Sequence, residues 1–177
     1  MSSQLQGFGG FWVGQMSQAS AFNVPILAKY PALESRPETK RSHYVQGRYE
    51  NTFISPRMIP GVNPVLRQGE AFAAEILQRE AATIETYFWF NAMSPGDTTG
   101  MHDHAGTEEV LSGVYYVHVP PDSGNLVLRT GGGEALITPR AGMFVFFATT
   151  MRHAVTINRS NAIRLSIGLN FSLSPAP

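Results

Sequence analysis

The sequence predicts a mainly β fold, a sandwich or closed jelly roll preceded by one covering helix. From Ile84 onward apolar and polar residues alternate with period two in short runs, the pattern of strands with one buried face. Those runs are cut by Ser94-Pro95-Gly96-Asp97, Pro120-Pro121-Asp122-Ser123-Gly124, Gly131-Gly132-Gly133 and Arg140-Ala141-Gly142, whose residue types suit tight reversals. Only one segment has clear helical spacing, and a single helix cannot cover a parallel sheet on both faces. Short strands at near-regular intervals therefore point to a sandwich or jelly roll.

The elements follow in order. Residues 1–62 read as an N-terminal arm and a loop or lid region. They hold one candidate strand at Phe22-Asn23-Val24-Pro25-Ile26-Leu27, then Pro31, Pro37, Pro56 and Pro60 among Arg36, Lys40, Arg41, Arg48 and Arg57. Basic loop residues could hold an acidic substrate over a site mouth, although a charged loop is more often simply solvated. Residues 63–177 read as the β core with its leading helix, the whole forming a single domain. Over 64–83, Leu66, Phe72, Ala73, Ile76, Leu77 and Ala81 recur at helical spacing, with Glu70, Gln78 and Arg79 outside. Strands are expected at 86–93, 113–119, 124–129, 134–137, 143–148, 154–158 and 163–171.

Composition excludes several classes. The 177 residues carry 13 basic and 13 acidic side chains, so nothing supplies the basic footprint that nucleic acid or an anionic membrane requires. The absence of cysteine removes disulfides, zinc fingers, iron–sulfur ligation and thiol catalysis. The first residues lack the basic stretch and unbroken apolar run of a secretory signal, and no run is long enough for a membrane span. A cytoplasmic location is the default expectation.

Three of the five histidines are spaced like metal ligands. His102 and His104 flank Asp103. In an extended segment residues two apart point the same way, so the two imidazoles converge while Asp103 faces away. His153 follows the apolar run Met143-Phe144-Val145-Phe146-Phe147-Ala148, which would cross the core and deliver it to the same mouth. Three neutral imidazoles can hold a first-row divalent metal with positions left open. In the last strand Ile163, Leu165, Ile167, Leu169 and Phe171 form an apolar face, and Arg164, Ser166, Gly168 and Asn170 the other. An arginine there needs a partner, and its planar fork suits a carboxylate. His43 and His118 have no such pattern, and the Phe88-Trp89-Phe90 run reads as core packing.

In order along the chain come His102-x-His104, Ser112-Gly113-Val114-Tyr115-Tyr116-Val117, Pro121-x-Ser123-Gly124-Asn125-Leu126, Pro139-x-x-Gly142, Phe146-Phe147, His153-x-Val155 and Arg164-Leu165-Ser166-Ile167-x-Leu169-Asn170-Phe171. This ordered set, over roughly Tyr87 to Phe171, resembles the 2-oxoglutarate/Fe(II) oxygenases, in their small bacterial and phage-borne branch related to prolyl hydroxylases. The resemblance implies a double-stranded β-helix, cupin-like in shape, with Fe(II) at one mouth and 2-oxoglutarate deeper in the barrel. By the resemblance His102 and His153 match two iron ligands, and His104 stands where the wider superfamily has a carboxylate. Arg164 matches the basic residue on the distal carboxylate of 2-oxoglutarate, with Ser166 beside it, and Tyr116 matches a tyrosine hydroxyl on that carboxylate.

The activity implied is an Fe(II)-dependent dioxygenase reaction with 2-oxoglutarate as cosubstrate and O2 as oxidant, most often hydroxylation of a small-molecule or peptide substrate. A homodimer is one arrangement open to it. Two other readings stand beside it. One is a three-histidine cupin dioxygenase without 2-oxoglutarate, in which Glu108 or Glu109 would be a fourth ligand. The other is a jelly-roll binding module whose histidines are structural, since fold alone does not choose among these functions.

Overall fold

The computed structural model describes residues 5–106 and 108–174; the expectation about a signal segment falls partly on residues 1–4, outside them. An N-terminal hairpin, β1 (Leu5–Gly7) and β2 (Phe11–Gln15), leads into helix α1 (Ala19–Glu34). A second hairpin, β3 (Lys40–Val45) and β4 (Arg48–Phe53), is followed by helix α2 (Val62–Leu77) and a 3-10 turn at Ala81–Thr83. The remaining strands are β5 (Ile84–Met93), β6 (Thr99–His102), β7 (Leu111–His118), β8 (Leu126–Thr130), β9 (Gly133–Ile137), β10 (Met143–Phe147), β11 (His153–Val155) and β12 (Arg164–Leu173). They form an eight-stranded sheet, β1-β2-β10-β7-β12-β5-β4-β3, and a four-stranded sheet, β6-β11-β8-β9. Their paired neighbours are antiparallel. This is the jelly roll that the alternation pattern predicted.

The alternation also divides the core. On one face of the large sheet Phe90, Tyr115, Phe144, Phe146, Leu165, Ile167, Leu169 and Phe171 pack with Ile26 and Tyr30 of α1 and with Val62, Val65, Phe72 and Ala73 of α2. The neighbouring positions Tyr116, Met143, Val145 and Phe147 turn the other way and meet Leu126 and Leu128 of the small sheet. Successive side chains of one strand thus serve two layers. At about 25 cal/mol per Å² of apolar area, each such aromatic contributes on the order of 2–3 kcal/mol by leaving water.

The N-terminal region departs from the expected arm and loop. The segment around Phe22–Leu27 is helical, and a second helix therefore joins α2 on the large sheet. Pro25 and Pro31 lie inside α1, where each removes a backbone donor and would ordinarily break a helix. Tertiary packing outweighs that cost: Ile26, Tyr30 and Leu33 are buried, and the Tyr115 hydroxyl donates to Asn23 Oδ1 at 2.6 Å. The basic stretch at 40–53 is likewise a β-hairpin, paired to β5 through Thr52 and Phe90. Its arginines face inward partners. Arg41 donates to the Glu34 and Arg36 carbonyls, and Arg48 pairs with Glu50 and Asp97. Neither basic residue lines the mouth as the expected acid-binding loop would require.

Candidate active site

A cavity of about 670 Å³ opens between the two sheets. Along its wall stand residues from β4, β5, β6, β7, β11 and β12. It contains His102, His104, His153, Tyr116, Arg164 and Ser166, whereas neither Glu108 nor Glu109 lines it.

The histidines meet because β6 and β11 pair, with His102 opposite His153. His104 follows β6 by two residues, and its backbone N–H donates to the Thr149 carbonyl at 2.8 Å, tying the segment to the turn before β11. Ring centroids are 4.2 Å apart for His102 and His153, 5.2 Å for His104 and His153, and 5.5 Å for His102 and His104. One ligand atom from each lies within 4.8 Å of the others, a grouping able to hold a metal ion. Neither Glu108 nor Glu109 is in that group.

Hydrogen bonds orient two of the rings. His102 Nδ1 lies 2.8 Å from the Gly100 carbonyl and His153 Nδ1 2.9 Å from the Met151 carbonyl. A carbonyl only accepts, so each Nδ1 carries the proton and each Nε2 keeps a lone pair, the arrangement typical of metal-ligating histidines. His104 Nδ1 is 3.1 Å from the Asn170 side-chain amide, which the Ser112 hydroxyl also contacts at 2.9 Å. Burial holds His153 below its ordinary range, to about 4, with the neighbouring rings His102 and His104 adding to it. Burial, then His102, also lowers His104. Both imidazoles are accordingly neutral at pH 7 and ready as ligands.

Deeper in the cavity is a cationic end. Arg164 is 2% exposed and Tyr116 fully buried, with the guanidinium carbon 5.0 Å from the Tyr116 ring centroid. Arg164 donates to the Ser123 and Gly124 carbonyls at 3.3 and 3.0 Å. Gly124 has φ +91° and stands so close to the Thr156 carbonyl that no side chain fits, which lets this backbone reach the guanidinium. No carboxylate faces Arg164 among the described ion pairs. Arg164 Nε and the Tyr116 hydroxyl are both buried without a hydrogen-bond partner. Burial raises the Tyr116 hydroxyl and lowers Arg164, and the two groups, facing each other, each offset part of the other's shift. Buried donors left unpaired are costly unless a ligand or water satisfies them. Ser166, two residues along the same strand face, donates to the Asn91 carbonyl at 3.4 Å.

Two cavity residues were not legible as such in the sequence. Trp89 belongs to a run that reads as core, yet only Phe90 of the three is fully buried, and Trp89 turns into the cavity beside His104 at 6.2 Å. Gly168, opposite it in the β5–β12 ladder, leaves the space that the indole fills. His43 lines the outer wall from β3, with φ +57°, unusual for a non-glycine residue. The period-two alternation that assigns Gly168 to the cavity face also assigns Trp89 to it, and was the available signal. For His43 there was none.

Residues 87–135 match the family model described as "Putative 2OG-Fe(II) oxygenase". None of the curated proteins is a match. Among solved structures, the chain is similar to a Pseudomonas putida prolyl-4-hydroxylase, with TM-score 0.76, 20% identity and coverage of 94% of each chain. It is similar to a Trichoplax adhaerens prolyl hydroxylase in complex with a hypoxia inducible factor peptide fragment, with TM-score 0.72 and 14% identity over 93% of this chain and 84% of that one. EvdO2 from Micromonospora carbonacea, solved with 2-oxoglutarate, gives TM-score 0.66 and 16% identity over 95% and 88%. At these identities the neighbours speak to the fold.

Proposed function

We propose that this chain, a 2-oxoglutarate/Fe(II)-dependent oxygenase by its family match and fold, holds Fe(II) on His102, His104 and His153 and seats 2-oxoglutarate with its distal carboxylate against Arg164 and Tyr116. The observation that carries this reading is the pair of partnerless buried donors, Arg164 Nε and the Tyr116 hydroxyl, in the same cavity as the three histidines. A three-histidine cupin or a metal-free binding module leaves those donors unexplained.

When bound, iron and 2-oxoglutarate supply oxidation of a substrate carbon by O2, coupled to decarboxylation of the keto acid. The chain's part is to bind and orient. His102 and His153 present Nε2 because their Nδ1 protons are committed to carbonyls. Asn170 Nδ2 faces His104 Nδ1 and its Oδ1 accepts from the Ser112 hydroxyl; turning the amide over, an isosteric change, would set its oxygen on Nδ1 and free Nε2 of His104 in the same way. Arg164 offers a planar fork to a carboxylate, and Tyr116 donates beside it. Ser166 borders the same place. Phe147, with its ring 4.7 Å from His153, keeps the inner side of the metal position apolar and excludes water. The substrate is a small molecule or a peptide side chain that enters over the outer wall.

Anaerobic titration with Fe(II) and then 2-oxoglutarate tests this. A visible charge-transfer band is expected on adding the keto acid. Truncating one partner of a buried charge pair costs about 2–5 kcal/mol, so Arg164→Ala weakens 2-oxoglutarate by well over tenfold while Fe(II) stays bound. Tyr116→Phe costs about 1 kcal/mol, one hydrogen bond. A wild-type protein that binds Fe(II) and ignores 2-oxoglutarate returns the site to the cupin reading.

A further inference from the structure

The cavity is far larger than a five-carbon dicarboxylate fills, and its two ends differ in chemistry. The inner end is buried and cationic, at Arg164. The outer end is exposed and ringed by Trp89, Tyr87 and His43, with Tyr87 and Trp89 forming a continuous aromatic edge at 6.1 Å. Among the described residues lining the cavity, Arg164 is the sole lysine or arginine, whereas Glu50 and Asp103 bring carboxylates to the outer part.

Those carboxylates are only partly neutralised. Glu50 meets Arg48 at 3.0 Å, but Arg48 also faces Asp97 at 3.6 Å, so one cation serves two acids and one negative charge remains. Asp103 has no ion pair among the described residues, and its side chain only accepts from the Ala105 N–H at 3.1 Å. An aromatic wall adds a negative π-face, which attracts cations placed over it. An anion entering here would meet repulsion from both walls, and a cation attraction from both.

We propose that the outer half of the cavity is the primary-substrate subsite and that it takes an apolar, ring-bearing group carrying a positive charge, selecting against acids. This rests on the oxygenase reading above only for the word "substrate"; the selectivity stands on the wall itself. Trp89 and Tyr87 would carry the apolar body, while Glu50 and Asp103 would face the cationic head.

The test uses three probes with one apolar body: cyclohexylpropyl trimethylammonium, cyclohexylpropanamide and cyclohexylpropanoate. The quaternary cation cannot ligate iron, and saturating 2-oxoglutarate keeps the acid from Arg164. Binding is read as a change in Trp89 emission in the Fe(II)-loaded Trp12→Phe protein, since Trp12 and Trp89 are the chain's two tryptophans. The cation is expected to bind at least about tenfold tighter than the acid, a difference of about 1.4 kcal/mol, with the amide between them. Asp103→Asn and Glu50→Gln together keep the oxygens that Ala105 and Arg48 contact and should bring the three probes within about threefold, roughly 0.6 kcal/mol. The proposal is overturned if the acid binds as tightly as the cation, if the double variant keeps the preference, or if no probe alters Trp89 emission. The 2-oxoglutarate band is read before each probe is added. Its absence counts against the oxygenase reading, whereas probe selectivity is scored separately on Trp89.

Discussion

His153 couples the three-histidine cluster to folding through its own protonation. Its imidazole is buried and held neutral, with a folded value of about 4 against 6.5 in the unfolded chain. A histidine with a depressed folded value contributes stability that is complete above the unfolded value. That stability is lost as pH falls toward the folded one, because the unfolded chain then binds the proton first. The metal-free protein should therefore lose about 2 kcal/mol between pH 7 and pH 5 from this residue alone. His104, lowered in the same direction, adds to the slope. Urea unfolding of the metal-free protein at the two pH values measures the loss, and His153→Gln should flatten the dependence. A wild-type stability that stays level down to pH 5 would show that His153 is not buried neutral.

The pairing of β5 with β12 shows how an element builds a site wall. Trp89 lies opposite Gly168 in the ladder, and a Cβ at Gly168 would overlap the indole atoms. The strand pair thus has one glycine where the indole of its neighbour must fit beside His104. Adding a methyl group to such a packed position costs about 1–3 kcal/mol. Gly168→Ala should lower stability by that order and shift Trp89 emission. Iron binding should persist, since the histidines sit on the other sheet and its adjoining segment. The clash is specific to the indole, so Gly168→Ala in a Trp89→Leu background should cost much less, the non-additivity expected of residues in direct contact. Equal costs in both backgrounds would place the strain elsewhere.

For the molecule as a whole, a metal held by the three histidines would link binding to folding. The three histidines come from two paired strands and a following loop segment, and no such cluster persists once those separate. A ligand that binds only the native state stabilises by mass action, about 2.7 kcal/mol at a hundredfold excess over its Kd. Anaerobic Fe(II) should raise the melting temperature of the wild-type protein, and chelation should reverse the rise. His102→Ala and His153→Ala proteins should melt without that dependence, while His118→Ala should retain it. A melting temperature indifferent to Fe(II) in the wild type would count against a metal centre at this place.

The sequence by itself determined the β architecture, because period-two alternation records which face of each strand meets water. β5, β7, β8, β9, β10 and β12 lie within a few residues of their expected spans. It also pointed to the three histidines that the structure gathers, since His-x-His in an extended segment converges and the apolar run before His153 crosses the core. It was silent on β1, β2, β3 and β4, and it read residues 22–27, which lie in α1, as a strand. Their patterns are weak or contradicted by proline, and they form because the large sheet offers them edges and an apolar face to cover. Tertiary structure alone decided that Arg48 reaches Asp97 and that His43 borders the cavity. These are contacts between residues far apart in the chain. No local periodicity encodes them, because whether a side chain is core, wall or rim depends on what the rest of the molecule brings up against it.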